Sequence, residues 1–433
     1  MKKKIVFVFY LIIYIFSQPL MGVCSLNYKK QFVNKASIIP GGTIKLDYRN
    51  ISDQARADSR FDIRQARIFI KGEVKPLLKY KFEYELQGNE TKKLIDAFGE
   101  FKFNHLLFFK LGQFKTPYSF EWQINDGNFC FAERSIGFSL QPGRDIGLMM
   151  GGDIFKKSIS YKLGIFNGDG IDGSSRGNQR DDPEMIARVV IKPLAFTNIF
   201  FLSSIFSGLS VSESKIDLTN VNIKAKSTGM IGTQRSLYIL RSTTKFGALL
   251  DVNKRKRINI EGGFTHGPIA VFGEYQRFKY TDLKPVNEKS ANSNFYSWYA
   301  CLVANLTGEK IMIKDGNLYP VVTKKDQMNQ SYFSRKISNF SNKIGSPIWQ
   351  SGLRLEHFSG DSNWIKHKAF NSSKEADAYS IAINCIFYPF LRLMLDYTYT
   401  DISDPIRIRV NPNATIDYMK SETAVTFRCL IIF

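Results

Sequence analysis

Lys79-Tyr80-Lys81-Phe82-Glu83-Tyr84-Glu85-Leu86 alternates between charged and apolar side chains without a break. A period of two belongs to a strand, whose successive side chains point to opposite faces. One face is therefore Tyr80, Phe82, Tyr84 and Leu86, and the other is Lys79, Lys81, Glu83 and Glu85. The same pattern recurs along the chain. Met185, Ala187, Val189 and Ile191 alternate with Glu184, Arg188 and Lys192. Leu391, Leu393, Leu395, Tyr397 and Tyr399 alternate with Arg392, Asp396 and Thr398. Leu353 and Leu355 alternate with Arg354 and Glu356, and Ala66, Ile68 and Ile70 with Gln65, Arg67 and Lys71. Ile63 and Arg64 do not fit this last register. Gly, Pro, Asn and Asp turns separate the runs, so the chain reads as all-β.

A soluble sandwich also alternates, with its apolar face turned inward. Three features favour the inverted arrangement, a closed antiparallel transmembrane barrel. The strands approach the roughly 9–11 residues that a tilted membrane strand needs. Tyr and Phe collect near strand ends, as an aromatic girdle requires. The chain closes on Val425, Phe427, Cys429, Ile431 and Phe433, an alternation ending in an aromatic residue. That ending resembles the C-terminal signature of bacterial outer-membrane barrels. Pairing the last strand with the first leaves no edge, which lipid demands.

The first residues differ from the rest. Lys2, Lys3 and Lys4 precede an apolar run from Ile5 to Phe16, and Gly22, Val23, Cys24 and Ser25 supply small residues for cleavage. Residues 1–24 read as a cleaved signal peptide, with a lipoprotein site at Cys24 as the alternative. Residues 25–40 read as a short periplasmic lead-in and 41–433 as the barrel. The mature chain would hold 433 − 24 = 409 residues. At roughly 25 residues per strand and connection this gives about 16 strands, enough to leave an aqueous channel.

Aromatic residues make up 14% of the chain, with 36 Phe and 20 Tyr. Mean hydropathy is −0.19. Alternation between lipid and lumen gives such a mild average, so the value does not exclude a membrane. Formal net charge is +21, and the mature chain would carry 21 − 3 = +18 after loss of three lysines. Such a field favours anionic partners, although charge spread over solvated loops is the plainer explanation. An exported protein rarely meets nucleic acid, so none is expected as a ligand.

Catalytic and metal motifs are weak. Cys130, Cys301, Cys385 and Cys429 lie far apart and lack zinc or redox spacing. The run from Gly168 to Gly173 lacks the spacing of a calcium loop. Gly360-Asp361-Ser362 suggests a hydrolase nucleophile only if a histidine such as His357 or His367 joins it. No P-loop, zinc-protease or dinucleotide fingerprint occurs. The chain is expected to be no enzyme and to hold no cofactor or metal.

The segment 116–144 is too long for a hairpin turn and poor in strand signals. It is expected to fold inward as a constriction, with a solvated outer loop as the alternative. Lys115, Arg134 and Arg144 would then present cations at the narrowest point. Alternation places Arg67, Lys79, Lys81, Arg188, Lys192, Arg354 and Arg392 in the lumen as pore-lining, anion-binding residues. Glu83, Glu85, Glu184, Glu356 and Asp396 share that face, so the lumen is expected to be mixed in charge. A long Lys-, Ser- and Asn-rich segment at 309–349 suggests an adhesive or structural outer-membrane protein instead.

Several motifs in order carry a more specific resemblance. They are Phe61-Asp62-Ile63-Arg64-Gln65-Ala66-Arg67-Ile68, Lys71-Gly72, Asp96-Ala97-Phe98 and Gly112-Gln113-Phe114-Lys115-Thr116-Pro117-Tyr118-Ser119-Phe120-Glu121. Pro142-Gly143-Arg144-Asp145-Ile146-Gly147, Phe166-Asn167-Gly168 and Leu306-Thr307-Gly308-Glu309 follow, with Arg354 beyond Trp349. Together they resemble the phosphate-selective porin O and P family over nearly the whole mature chain. The resemblance implies a 16-stranded barrel of the bacterial outer membrane, usually a homotrimer in outer-membrane lipid. It also implies Arg and Lys ladders that pass small anions, phosphate or polyphosphate. Arg64, Arg67, Lys115 and Arg144 match its motifs. Gln65 stands where the family pattern has a second Arg. A non-selective porin remains the alternative.

Overall fold

The computed structural model describes residues 36–53, 56–75, 77–87, 93–155, 157–168, 170, 183–216, 223–227, 236–240, 243–244, 247–285, 291–314, 317–319, 347–361, 372–387, 390–409 and 416–433. The expected signal peptide, 1–24, lies outside them. The first strand begins at Ala36, inside the stretch expected as a lead-in.

The strands are β1 Ala36–Asp53, β2 Arg56–Val74, β3 Leu78–Glu85, β4 Leu94–Lys102, β5 Phe108–Lys115, β6 Arg144–Ile154 and β7 Ile159–Phe166. They continue as β8 Glu184–Ile191, β9 Phe206–Ile216, β10 Ile223–Lys226, β11 Ser236–Leu240, β12 Thr243–Thr244, β13 Gly247–His266 and β14 Ile269–Pro285. The remainder are β15 Ala291–Asn305, β16 Met312–Lys314, β17 Asn317–Tyr319, β18 Ile348–Ser359, β19 Glu375–Phe387, β20 Leu391–Arg409 and β21 Ile416–Ile432. Sixteen of them, β1–β9, β13–β15 and β18–β21, form one antiparallel meander in which each pairs with the next. β1 pairs with β21, from Thr43 opposite Ile432 to Asp53 opposite Glu422, and closes the barrel. The pairs β10–β11 and β16–β17 are separate hairpins.

Burial decides between sandwich and barrel. Phe82, Leu355, Ile381, Leu395 and Phe427 face outward and are exposed, whereas Arg49, Arg354, Asn384 and Asp396 face inward and are buried. Apolar residues outside and polar ones inside is the order that lipid imposes.

The misfit at Ile63 and Arg64 has a local cause. Lys45 lies opposite Gln65 and Leu46 opposite Ile63, so Arg64 is an extra residue in β2. Such a bulge turns two consecutive side chains toward one face. Both Arg64 and Gln65 therefore look into the barrel.

The two ends differ. The connections at 75–77, 103–107, 155–158, 267–268 and 388–390 are short and share one end with the C-terminus and the start of β1. Short turns mark the periplasmic end. The long connections 116–143, 167–183, 217–246 and 360–374 lie at the other end. The connection from β15 to β18, read from sequence as a long outer loop suited to adhesion, starts and finishes at the short-turn end. Residues 315–316 and 320–346 within it lie outside the described residues.

Segments inserted from both ends pack on part of the inner wall. Phe120, Ile124, Phe129 and Phe131 of the β5–β6 connection pack on Phe206, Phe272, Tyr299 and Val303 of the wall. Ile311, Ile313 and Leu318 of the β16–β17 hairpin join the same cluster from the periplasmic end. From the outer end, Leu237 and Tyr238 of the β10–β11 hairpin pack with Ile136 and Leu140 on Phe278, Phe295 and Phe358. Each buried ring or aliphatic chain contributes about 1.5–3 kcal/mol. Three inserted segments thus cover the inner face of β13–β15 and β18–β21, leaving β2–β6, where Arg67, Lys71, Lys81, Lys110, Lys115 and Arg144 stay at least partly exposed, as the open side.

Candidate pore lining and constriction

The β5–β6 connection crosses the barrel because its ends are fixed and its backbone is satisfied from the far wall. A short helix, Phe120–Gln123, is capped by Ser119, whose Oγ accepts from Trp122 N at 3.1 Å. Inward carboxylates accept the segment's backbone N–H groups. Glu274 accepts from Glu121 N at 2.7 Å, Asp396 from Ala132 N at 2.7 Å and Glu356 from Ile136 N at 2.7 Å. Inward donors reach its carbonyls: Asn384 Nδ2 to Cys130 O at 3.0 Å and Arg354 Nη1 to Glu133 O at 2.9 Å. Gly352 faces the same segment, and a Cβ there would lie 2.6 Å from Cys130 Sγ. Only glycine admits so close an approach.

These contacts decide the roles of several expected residues. Arg354 points inward, yet it is 1% exposed, paired with Glu356 at 2.6 Å and laid on the Phe131 ring at 4.5 Å. Arg392 is buried and donates to Gly127 O at 3.1 Å and Gln350 Oε1 at 2.5 Å. Arg188 is buried against Glu261. Inward orientation therefore does not make these three pore-lining, because the inserted segments lie between them and the open side. Lys192 lies just past β8, at the periplasmic end, with Nζ 3.3 Å from Ile313 O of the β16–β17 hairpin. Lys79 is exposed near the same end, opposite Glu73 and Glu100 in register.

The remaining five residues are brought together. Lys115 and Arg144 are cross-strand partners where β5 and β6 leave the sheet. Trp122 sits between the cations, with Lys115 4.9 Å, Arg144 5.4 Å and Arg134 5.9 Å from its ring centroid. Lys115 Nζ also donates to Trp122 O at 2.9 Å and Ile124 O at 3.2 Å. Arg134 pairs with Asp126 at 2.8 Å. Arg144 and Lys81 share Asp96, at 2.8 and 2.9 Å. Arg67 pairs with Glu85 at 2.8 Å and reaches Asp126 at 3.8 Å.

Other residues of this wall were missed from sequence. Lys45 is 3.4 Å from Asp126; Arg64, already singled out by the family motifs, is 3.3 Å from Glu133. Lys110 lies 3.6 Å over the Phe98 ring and 3.7 Å from Glu100. Lys71 lies 5.3 Å over Phe69. The signal for Lys45 was present: Lys45, Asp47 and Arg49 alternate with Leu46 and Tyr48. Asp126 and Trp122 lie in an irregular segment where alternation says nothing.

The wall is mixed in charge. Among the described residues, Lys115 and Lys71 face no carboxylate at ion-pair distance, whereas their cationic neighbours each do. Burial pushes the Asp126 carboxyl up, but Lys45, Arg134, Lys115 and Arg67 outweigh it and hold it well below its ordinary value. Burial of Glu133 is likewise outweighed by Arg64 and Arg428, so its carboxyl also sits low. Among the described residues no cluster of His, Cys, Asp and Glu is placed to hold a metal ion. Ser362 and His367 of the hydrolase reading, and Asp172 of the calcium reading, lie outside the described residues.

Comparison with known structures returns porins. An anion-selective porin from Comamonas acidovorans aligns at TM-score 0.54 and 11% identity, covering 92% of this chain and 100% of that one. The outer-membrane channel DcaP of Acinetobacter baumannii aligns at 0.52 and 11%, covering 93% and 98%. The trimer form of OmpT from Vibrio cholerae aligns at 0.52 and 9%, covering 92% and 100%. At such identity the likeness shows the barrel fold. No curated protein matches the chain in sequence. The family description phosphate-selective porin O and P matches residues 40–405. The chain belongs to that family, and is an outer-membrane porin of the bacterial envelope.

Proposed function

We propose that the chain forms a diffusion pore for small anions, with phosphate the foremost substrate, and works as a homotrimer. The carrying observation is the group of Lys115, Arg134 and Arg144 around Trp122, at the mouth of the inserted segment and on the open side of the lumen. A dehydrating anion needs replacement hydrogen bonds, and Arg and Lys donate charge-assisted ones. Arg64, Arg67 and Lys45 stand on the same wall, as do Lys81, Lys71 and Lys110 toward the periplasm. An anion passes between these groups in steps. Carboxylates beside most of the cations keep each step weak, which lets the ion leave. Family membership supports phosphate, and the anion-selective and trimeric solved relatives agree with the proposal.

The carboxylates also favour a second reading, a mixed-charge pore of little selectivity. Planar-bilayer recording separates the two. The anion pore predicts a reversal potential favouring chloride in a salt gradient, phosphate block of chloride current, and loss of that block in Lys115→Glu and Arg144→Glu. A reversal potential favouring cations, or no phosphate block, would sink it.

A further inference from the structure

The outer wall carries a charge pattern that the pore does not use. In β13, Lys254-Arg255-Lys256-Arg257 alternates so that both arginines are buried inside and both lysines are exposed outside. On β14, Arg277 and Lys279 are exposed on the same outward face. Lys256 lies directly opposite Lys279, and Arg277 opposite Ile258. Like charges facing each other across two strands destabilise the sheet. Glu213 of β9 lies 3.9 Å from Lys254 and opposite Lys256 in register. Lys256, Arg277 and Lys279 have no carboxylate at ion-pair distance among the described residues.

Their height on the wall is informative. The outward residues of β14 climb from Ile269, at the short turn, through Val271 and Tyr275 to Arg277 and Lys279. At roughly 3.3 Å per residue and a tilt near 45°, Tyr275 stands about 14 Å and Lys279 about 23 Å above Ile269. The lipid-facing band of a barrel is about 25 Å tall. Tyr275 stacks on Tyr296 at 5.9 Å, and both are exposed outward, as is Trp298 beside them. The rings thus lie within the band and Lys279 near its upper edge, from where long basic side chains reach up to the headgroups. The feature is not general to the rim. On β19 and β20 the cross-strand residues at the outer end are Asp377 and Asp401.

We propose that Lys254, Lys256, Arg277 and Lys279 form a site on the outer wall for a phosphorylated lipid headgroup of the outer leaflet. The patch sets four cations against one carboxylate, Glu213, so an anion added at the edge of the hydrocarbon complements its remaining charge. A subunit interface fits less well, because lysine is depleted from protein–protein interfaces. The bound lipid anchors this side of the barrel at a fixed depth.

The test uses the full folded protein, its Lys256→Glu/Lys279→Glu variant and its Lys256→Gln/Lys279→Gln variant. Each is incubated with phosphatidylcholine vesicles with and without about one-fifth diphosphoryl lipid A, then extracted and weighed by native mass spectrometry. Wild type is expected to retain lipid A in preference to phosphatidylcholine. The Glu variant is expected to bind it at least about tenfold more weakly, at roughly 1 kcal/mol per basic residue, with the Gln variant between. Bilayer conductance stays unchanged, because the residues lie outside the lumen. Equal retention by wild type and the Glu variant overturns the proposal. So does displacement by inorganic phosphate alone at millimolar concentration, which would indicate a small-anion site. Loss of the oligomer in both variants without any change in lipid A retention also overturns it, in favour of a subunit interface.

Discussion

Arg428, on the last strand, donates from Nε and Nη2 to Asp47 on the first strand, both at 2.7 Å, and lies 3.1 Å from Glu133 of the inserted segment. Its Nη1 also reaches Ala132 O. One side chain thus joins the seam of the barrel to the constriction. This anchor of the segment is complete only when the first and last strands are paired.

Removing one partner of a buried charge network costs about 3–5 kcal/mol. Arg428→Ala leaves Asp47 and Glu133 facing each other without their shared cation. The barrel is expected to survive, held by its ladder, while the segment loosens. Single-channel records should show a larger and noisier open level than wild type. An unchanged open level would mean that the latch does not hold the constriction.

Asp126 sits among Lys45, Arg134 and Arg67, at 3.4, 2.8 and 3.8 Å. It acts as a tethered anion with which a passing ion competes. Asp126→Asn keeps the size and removes the charge. One charge near 4 Å is worth about 1–4 kcal/mol at the dielectric of a wet surface. Phosphate block of chloride current is therefore expected to tighten by about tenfold or more, and the reversal potential to move further toward chloride.

Arg354 and Lys115 should behave differently. Arg354→Met removes a buried guanidinium that supports the Glu133 carbonyl and leaves Glu356 unpaired. The expected result is a lower melting temperature with ion selectivity preserved or blurred. Lys115→Met removes a part-buried cation that faces no carboxylate, and should shift selectivity with a smaller loss of melting temperature than Arg354→Met, since only two hydrogen bonds to the Trp122 and Ile124 carbonyls go with it. Titrating both variants in a salt gradient and melting both in detergent checks the contrast.

Asp126 and Glu133 set the acid end of the pH response. Both folded carboxyls lie below their ordinary values of 3.8 and 4.5. A depressed folded value gives stability that is full above the ordinary value and is lost as pH falls through the folded one. Loss of these two charges should therefore alter conductance and its noise only below about pH 4, and Asp126→Asn should remove part of that acid transition. A transition near neutrality would show that other groups control the segment.

The β16–β17 hairpin should matter from the periplasmic side. Leu318 is fully buried among the residues packed on the inner wall. Leu318→Ala is expected to cost about 2–4 kcal/mol locally. The hairpin would then release, and current entering from the periplasmic side should rise more than current entering from the outer side. Symmetric conductance equal to wild type would exclude a role in the path.

The barrel was legible in the residues themselves. Alternation at 79–86, 353–356 and 391–399 is a local property, and the backbone converts it directly into two faces. Family motifs singled out Arg67, Lys115 and Arg144, which stand on β2, β5 and β6. Parity also turned Arg188, Arg354 and Arg392 inward correctly, but it could not say what covers them. That depended on contacts such as Ala132 with Asp396 and Cys130 with Asn384, more than 250 positions apart in sequence. A strand's period fixes which face a side chain takes. Access to water at that face is set by whatever other segments pack on it, and only the closed barrel with its three insertions decided that.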